Sequence, residues 1–444
     1  MIVDLSKTYQ TIDGFGVSET FQRANQMKAL SEPLQRYALD LLWNRTTGAG
    51  FSILRNGIGS SPDSSSDHMV SIQPKNPGGP GAAPKYIWDG NDNSQVWIST
   101  EAVKTYGVTT VYANAWSAPG YMKTNNNDAN GGNLCGVSGA SCSSGDWTQA
   151  YANYLVQYIT YYKELGVKVS HLGFLNEPDL TTSYASMRSN GQQAASFIKV
   201  LRPTLDKANY TDVKITCCDA EGWSSQQGMM SALGSVSSLL GTITAHSYTS
   251  QPNSPINTPH RVWQTENADL QGPWTATWYS NNGAGEGLLW ATKISDAITR
   301  GNASAYLYWI GVQGGATNSK LIRIADDKKS VIPSKRLWAF ANWSRYVRPG
   351  AVRVGTSGGP SGAKISAFQN VDGSVVAHII QSGASAVNVE VKVSGFKAKV
   401  ARAWITDDTH NCAEWTVSMA ADGGSASAQV PGRSFVTLVF ESVG

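Results

Sequence analysis

Two glutamates stand at the ends of short apolar runs that are typical of buried β-strands. Residues 168–177 end in Asn176-Glu177, and residues 261–266 end in Glu266. In a barrel of parallel strands, side chains at the carboxyl ends of the strands meet at one face. Two carboxylates facing each other across such a mouth are the minimum set for glycoside hydrolysis, in which one protonates the leaving oxygen and the other meets the anomeric carbon. Each glutamate could instead cap a helix or form a salt bridge, but two of them, with Asn176 beside the first, favour catalysis.

The segments that would position these carboxylates form a regular pattern. Short β-branched or apolar runs alternate with longer helix-like segments, which is typical of parallel strands covered on both faces. Eight such runs predict an α/β fold of the closed (β/α)8 type, a TIM barrel. The runs lie at residues 11–18, 50–58, 108–116, 168–177, 212–218, 242–248, 261–266 and 304–310. Helices are predicted at residues 31–43, 146–166, 190–208 and 286–301, and a bare loop at the Pro-rich residues 249–259.

The sequence pattern changes after residue 347. Short alternating runs punctuated by glycine predict an appended all-β, sandwich-like domain over residues 348–444. Residues 1–10 are strand-like and lie outside the predicted barrel, so we expect them to join this β domain. The catalytic barrel is therefore assigned to residues 11–347.

The composition indicates a folded protein and excludes several function classes. Of the 444 residues, 41% are hydrophobic and 15% are charged, and the net charge is +3. The basic residues are scattered rather than grouped in a stripe, which argues against a nucleic-acid partner. No apolar stretch approaches the ~20 residues that span a bilayer, so no membrane partner is expected. No Cys/His spacing indicates a zinc site, and the predicted chemistry needs neither a metal nor an organic cofactor.

Four motifs narrow the class further. They are IDGFGVSETF at 12–21, WSAPGYMK at 116–123, LGFLNEPD at 172–179 and WQTENADL at 263–270. In this order they resemble glycoside hydrolase family 30, and the resemblance covers essentially the whole chain, including the β domain. The segment GFGVSETFQRAN is similar to the fungal xylanase branch of that family. The resemblance implies a retaining enzyme in which Glu177 is the acid/base and Glu266 is the nucleophile.

The predicted barrel and the family resemblance together suggest roles for polar residues at other strand ends. Asn176 precedes the acid/base, where related barrels place a hydrogen-bond donor to the sugar 2-hydroxyl. Arg55 at the end of the second run could bond the Glu266 carboxylate and keep it ionised. Tyr248 at the end of the sixth run could hold Glu266 in the same way, with His246 nearby. Arg55 could also pair with any other acid, and His246 could be a hydrogen-bonded inner histidine.

Two tryptophans and two further acids also stand at strand ends. Trp116 and Trp309 end the third and eighth runs and offer flat faces for sugar rings, although Trp309 could belong to the core. Glu19 and Glu221 follow the first and fifth runs and could bind sugar hydroxyls. Neither stands in the pair of positions that gives opposed carboxylates, so we do not assign them a catalytic role.

Arg23 is the candidate for substrate specificity. It follows the first run and would lie in the barrel mouth if that segment is a long loop. In the fungal xylanases that the chain resembles, an arginine of this loop is implicated in binding the glucuronic acid branch of xylan. A guanidinium meets a carboxylate through two parallel hydrogen bonds, so one arginine adds discrimination. The alternative is an ordinary arginine on a helix surface.

The cysteines and the glycosylation sequons favour a secreted, extracellular protein. Of five cysteines, Cys135 and Cys142 bracket a Gly/Ser-rich loop and are predicted to form a disulfide. The pairing of Cys217, Cys218 and Cys412 stays open, and the odd count leaves at least one thiol free or paired elsewhere. Four N-glycosylation sequons begin at Asn44, Asn209, Asn302 and Asn342.

The sequence therefore predicts a secreted, monomeric β-1,4-xylanase whose partner is a polysaccharide, xylan with glucuronic acid branches. It acts as an endo-xylanase, as a xylobiohydrolase, or as both. On the same fold and catalytic pair, the alternative is an endo-β-1,6-glucanase. From another class, the alternative is a non-catalytic carbohydrate-binding protein, against which the presence of both glutamates argues.

Overall fold

The computed structural model of the protein describes residues 1–65 and 67–442. The first strand, β1 (Ile2–Thr11), lies outside the barrel. Within the described residues, eight parallel strands follow it and close into a barrel, because β9 pairs with both β2 and β8. They are β2 (Gly14–Ser18), β3 (Ile53–Ile58), β4 (Thr110–Ala115), β5 (Val169–Gly173), β6 (Lys214–Ala220), β7 (Thr242–His246), β8 (Arg261–Glu266) and β9 (Ala305–Gln313). The predicted (β/α)8 barrel is confirmed.

Helices cover the outside of the barrel. They are α1 (Arg23–Lys28), α2 (Glu32–Trp43), α3 (Gln95–Thr100), α4 (Thr148–Glu164), α5 (Gly191–Lys207), α6 (Trp223–Leu233), α7 (Gly287–Thr299) and α8 (Lys335–Ser344). Short segments of π- or 3₁₀-helix lie at Glu101–Thr105, Gly120–Met122 and Gly234–Leu239. The four predicted helices correspond to α2, α4, α5 and α7, and residues 247–260 link β7 to β8 without a helix, as expected. Local chemistry sets these limits: Asn190 caps the start of α5, and its side chain accepts from the backbone N–H of Gln193 in a capping box.

The β domain is one ten-stranded sheet that includes the N-terminal strand. Two strands that precede this domain in the chain, β10 (Lys320–Ile324) and β11 (Val331–Pro333), belong instead to the barrel sheet and extend it beside β9. The domain itself contains β12 (Val352–Ser357), β13 (Ala363–Gln369), β14 (Val375–Gln381), β15 (Val387–Ser394), β16 (Val400–Thr406), β17 (Ala413–Trp415), β18 (Ser418–Met419), β19 (Ser425–Val430) and β20 (Ser434–Glu441). Across the described part of the chain, the strand order is β17-β16-β20-β14-β13-β12-β1-β15-β19-β18. The predicted all-β domain is confirmed, and the boundary between residues 347 and 348 stays a prediction.

The barrel interior changes character along its strands. One apolar cluster fills part of it, formed by Ile53, Tyr112, Trp263, Ala305 and Leu307. Because successive side chains alternate across a strand, Arg55 points the same way as Ile53, two residues before it on β3. Arg55, Asp219 and His246 are all between 0% and 1% exposed. Charged groups therefore fill the barrel directly below its carboxyl-end face.

Candidate active site

Glu177 and Glu266 lie together at the carboxyl-end face. Glu266 is the last residue of β8, whereas Glu177 follows the end of β5 by four residues. Glu177 has a backbone φ of +45°, which is uncommon for a residue with a side chain. Its N–H donates to the carbonyl of Asp219 at 2.8 Å, which ties the end of β5 to the end of β6. One carboxylate oxygen of each glutamate lies within 4.8 Å of the other.

Both oxygens of Glu266 accept hydrogen bonds. The guanidinium of Arg55 donates to Oε2 through Nη1, and the hydroxyl of Tyr248 donates to Oε1 at 2.9 Å. Arg55 also donates to Oδ1 of Asn176 at 2.6 Å and lies over the Trp116 ring, 4.6 Å from its centroid. These bonds fix the orientation of the Glu266 carboxylate while its oxygens stay at the pocket wall.

Glu177 has a different partner and a different electrostatic environment. Nδ1 of His246 lies 2.9 Å from Oε1 of Glu177 and is its hydrogen-bond partner. Burial raises the pKa of the Glu177 carboxyl, the hydrogen bond with His246 offsets part of that rise, and the negative charge of Glu266 adds to it. The net result is a raised pKa, as a general acid requires. The two glutamates are thus differentiated by their neighbours.

His246 carries a positive charge inside the barrel. It is 0% exposed, with Nε2 3.3 Å from Oδ1 of Asp219 and 3.8 Å from Oε2 of Glu266. Burial lowers the pKa of the imidazole, but the charge of Glu266 and the hydrogen bonds with Asp219 and Glu177 raise it to about 10. His246 is therefore an imidazolium at neutral pH, and it contacts the carboxylates from behind rather than lining the pocket.

Arg55 and Asn176 are also almost fully enclosed. Arg55 is 0% exposed and Asn176 is 3% exposed. Among the residues predicted to bind substrate, Arg55 and His246 contact the carboxylates of Glu266 and Glu177 from the protein side. Trp116, Trp309, Tyr248 and Arg23, in contrast, line the pocket.

The pocket has a volume of about 290 Å³ and an aromatic wall. In this wall, the Phe21 ring contacts three other aromatic rings. The distances between ring centroids are 5.5 Å to Trp116, 6.0 Å to Trp309 and 5.9 Å to Tyr184. Flat rings at this position suit the apolar faces of sugar rings. Leu180 and Leu270 add apolar surface, and Asp67 and Glu221 add carboxylates.

Arg23 is the first residue of α1 and borders this pocket. Its guanidinium forms an ion pair with Asp67, and it lies 5.7 Å from the centroid of the Phe21 ring. The Arg23 side chain is 14% exposed and that of Asp67 is 49% exposed. An incoming anion would meet Arg23 already paired with Asp67, a partner that the sequence did not indicate.

Glu19 and Glu221, the other two acids predicted at strand ends, lie in different environments. Glu19 is 0% exposed and accepts the backbone N–H of Val312 at 2.6 Å, and burial raises its pKa well above the usual value. Glu221 lines the pocket, and burial followed by the charge of Asp179 raises its pKa. Glu19 is therefore part of the interior, whereas Glu221 is available to a bound sugar.

Asp219 is the central residue that the sequence analysis missed. It lies in β6, is 1% exposed and approaches both Arg55 and His246. The residues Asp219-Ala220-Glu221 directly follow the predicted fifth run, and only Glu221 was considered there. The sequence position was visible, but the partners come from strands distant in the chain.

The two carboxylates and His246 also bring three possible metal ligands close together. Among the described residues, one atom each of Glu177, His246 and Glu266 lie within 4.8 Å of one another. The imidazolium of His246 and the guanidinium of Arg55 already supply positive charge to these carboxylates. A protonated imidazole has no lone pair for a metal, so this donor set suits proton transfer better than metal binding.

Two disulfides lie in the described part of the chain, one in the segment between β4 and α4 and one in β6. Cys135 forms a disulfide with Cys142, and Cys217 forms one with its neighbour Cys218. Cys412 is buried and bonded to no other cysteine in residues 1–65 and 67–442. No helix in that part of the chain is long and apolar enough to cross a membrane.

The fold and the site together define a glycoside hydrolase. Residues 12–323 match the sequence model of glycosyl hydrolase family 59, and residues 350–438 match that of the glycosyl hydrolase family 30 beta sandwich domain. The structure is similar to the catalytic domain of GH30 xylanase C from Talaromyces cellulolyticus, with a TM-score of 0.93 and 44% identity over 99% of both chains. Because of this identity over the whole chain and the match of the β domain, the chain belongs to glycoside hydrolase family 30.

Two curated relatives differ in their named substrates. The endo-1,6-beta-D-glucanase neg1 of Aspergillus fumigatus is 26% identical over 82% of this chain and 77% of the relative. The glucuronoxylanase XynC of Bacillus subtilis is 24% identical over 78% of this chain and 76% of the relative. Family membership therefore leaves the substrate to be argued from the site.

Proposed function

We propose that this protein is a retaining β-1,4-xylanase in which Glu266 is the nucleophile and Glu177 is the acid/base. The observation that carries the mechanism is the separation of at most 4.8 Å between one oxygen of each carboxylate. Retaining enzymes hold their carboxyl groups roughly 5–5.5 Å apart, whereas inverting enzymes leave about 6.5–9.5 Å for a water molecule. The 44% identity with a GH30 xylanase supports the substrate.

The first step forms a covalent intermediate. Glu266, held by Arg55 and Tyr248, attacks the anomeric carbon, while protonated Glu177 gives its proton to the oxygen of the leaving sugar. In the second step, Glu177 is ionised and takes a proton from water, which attacks the glycosyl-enzyme. Two inversions at one carbon retain the β configuration. The nearby charge of His246 moderates the pKa of Glu177, which must act first as an acid and then as a base.

The substrate we propose is xylan with glucuronic acid branches. The aromatic wall around Phe21 supports binding of a neutral sugar chain. Arg23 at the pocket edge supports binding of a uronate carboxylate, which would share or replace its ion pair with Asp67.

A comparison of polysaccharides tests this proposal. Reducing sugars should be released from glucuronoxylan and not from a β-1,6-glucan at equal enzyme concentration. Product sizes on glucuronoxylan and on linear xylo-oligosaccharides then separate internal cleavage from release of xylobiose at a chain end. Proton NMR of the first product should show the β anomer. Initial release of the α anomer would contradict the retaining mechanism.

An endo-β-1,6-glucanase is the second candidate, because the relative from Aspergillus fumigatus carries that activity in its name. Greater release from the β-1,6-glucan than from any xylan would establish it in place of the xylanase. The same catalytic pair would serve both reactions, so the substitutions at Glu177 and Glu266 do not distinguish the two.

We also propose that the protein is a secreted, monomeric glycoprotein. The two disulfides support an oxidising compartment. Asn209 and Asn302 are exposed, whereas Asn342 is 0% exposed and its side chain donates to Thr437 at 3.0 Å. We therefore expect glycans at Asn209 and Asn302 and none at Asn342, which mass spectrometry of peptides from a fungal host checks. Size-exclusion chromatography with light scattering tests the monomer.

A further inference from the structure

We propose that Asp219 is a positioning residue that fixes Arg55 and His246 against the two catalytic carboxylates and balances their charge. The proposal rests on the roles given above to Glu177 and Glu266. Asp219 is 1% exposed and does not line the pocket, so it acts on the reaction only through its neighbours.

The contacts of Asp219 come from four other strands or strand ends. Oδ1 lies 3.3 Å from Nε2 of His246 and 3.8 Å from Nη2 of Arg55, and it accepts the hydroxyl of Thr265. Oδ2 accepts the hydroxyl of Tyr112 and, at 2.7 Å, that of Thr244. One carboxylate thus links β3, β4, β7 and β8 at the level of the site. Its own backbone carbonyl accepts the N–H of Glu177.

Asp219 separates two cations that serve two different carboxylates. Arg55 is bound to Glu266 on its other side, and His246 is bound to Glu177 on its other side. Without Asp219, the two cations would face each other across a closed interior in which charges interact strongly. With Asp219 ionised, Glu266 ionised and Glu177 protonated, two negative groups offset two positive ones.

The electrostatics of the groups around Asp219 agree with this arrangement. The titratable groups in contact with Asp219 are Arg55, Tyr112 and His246. Glu266 and Glu177 lie on the far sides of Arg55 and His246. Burial alone would raise the pKa of Asp219, but the hydrogen bond with His246 and the charge of Arg55 lower it to about 2. The raised pKa of His246 depends in turn on Asp219. Each group therefore keeps the other charged, and the imidazolium stays in place beside the acid/base.

Asp219→Asn tests the charge without changing the shape. An asparagine can still accept from Thr265 and His246, and its amide can donate to the hydroxyls of Tyr112 and Thr244. We expect kcat on glucuronoxylan to fall by about tenfold to a hundredfold, below the full contribution of an acid/base group, with KM nearly unchanged. Asp92→Asn is the matched control, since Asp92 is 3% exposed and accepts from the hydroxyls of Tyr158 and Tyr162 away from the site.

The protonation of His246 gives a readout that does not need activity. In protein labelled with ¹⁵N-histidine, the wild-type His246 ring should be doubly protonated at pH 7, with its signal assigned from its loss in a His246→Gln variant. Asp219→Asn should lower the titration midpoint of His246 by more than about one pH unit, whereas Asp92→Asn should leave it unchanged. A wild-type ring that is neutral at pH 7 overturns the proposal even if Asp219→Asn does not fold. An unchanged midpoint or an unchanged kcat in a folded Asp219→Asn protein also overturns it.

Failure of the proposed function looks different. If Glu177→Gln and Glu266→Gln kept full activity, the catalytic assignment would be wrong whatever His246 shows. If both were inactive and Asp219→Asn behaved like wild type, only the role of Asp219 would be lost.

Discussion

Asp92 and Asp219 are both buried carboxylates that accept hydrogen bonds from tyrosine hydroxyls, yet their pKa values shift in opposite directions. Asp92 lies before α3, where Tyr158, Tyr162 and the amide of Gln95 donate to it. Burial raises its pKa to about 6 despite these neutral donors. The pKa of Asp219 is about 2, because an imidazolium and a guanidinium outweigh the same burial.

The difference shows what separates a structural polar group from a group in a reactive site. The Asp92 region links the loop before α3 to α4 without cations, so its carboxyl takes up a proton readily. In the Asp219 region the groups stay charged, because Arg55 and His246 stabilise the Asp219 carboxylate. The same two cations also bind Glu266 and Glu177. Charge balance within the barrel, rather than burial alone, marks the site.

The largest effect is expected from Glu266→Gln. The amide cannot attack the anomeric carbon, so activity on xylan should fall by more than about 10⁴-fold. Steady-state rates on glucuronoxylan check this, and circular dichroism confirms folding. The loss should persist on substrates with good leaving groups, because the missing group is the nucleophile itself. Activity within tenfold of wild type would exclude Glu266 from that role.

A smaller loss is expected from Glu177→Gln, about 10² to 10⁴-fold on xylan, the range of a general acid/base. An aryl xyloside with a good leaving group needs less protonation, so its first step should be nearly unaffected. Added azide should restore turnover on that substrate by replacing water in the second step. In the wild type, the raised pKa of Glu177 should keep the first step active to higher pH than an ordinary carboxyl would. A variant that azide does not rescue would argue for a purely structural Glu177.

Much of the fold could be predicted because it is encoded locally. The eight strands appear as separate apolar runs, and α2, α4, α5 and α7 as amphipathic segments between them. Helix α8 was not predicted. Every residue from Arg336 to Ser344 is buried, so the helix has no solvent-exposed side whose polar residues would reveal its period. It packs between the barrel and the β domain, where it contacts β2, β10, β16 and β20.

The site could be predicted only where position along a strand decides the role. Glu177, Glu266, Arg55 and Tyr248 were singled out because each was predicted to stand at the end of a strand. In the structure, Glu266 ends β8, Glu177 and Tyr248 lie four and two residues beyond the ends of β5 and β7, and Arg55 lies inside β3. Asp219 was missed because its role depends on partners distant in sequence. The ion pair of Arg23 with Asp67 joins two loops whose course no periodicity indicates.

The stability of the two buried aspartates should respond to pH in different windows. A carboxyl whose pKa is raised by folding stabilises the fold below its unfolded pKa of 3.8 and loses that contribution as the pH rises through about 6. Folding lowers the pKa of Asp219 to about 2. Its contribution to stability is therefore present above the unfolded pKa of 3.8 and is lost as the pH falls through about 2. Between pH 4 and pH 6, the unfolding free energy of wild type relative to Asp92→Asn should therefore fall by about 2 kcal/mol. Relative to Asp219→Asn it should stay constant, and urea unfolding at both pH values checks the contrast.

A smaller effect on activity than at either glutamate is expected at Arg23, which is paired with the half-exposed Asp67. If Arg23 binds the uronate branch, Arg23→Ala should lower kcat/KM on glucuronoxylan by about 1.5–3 kcal/mol, the scale of a charge-assisted hydrogen bond. Linear xylo-oligosaccharides should be cleaved at nearly the wild-type rate, because they carry no carboxylate. Asp67→Asn is the matched control, since it frees Arg23 from its competitor and should increase the preference for branched xylan. Equal losses on branched and linear substrates would instead make Arg23 a structural residue of α1, held by Asp67 for the shape of the pocket edge.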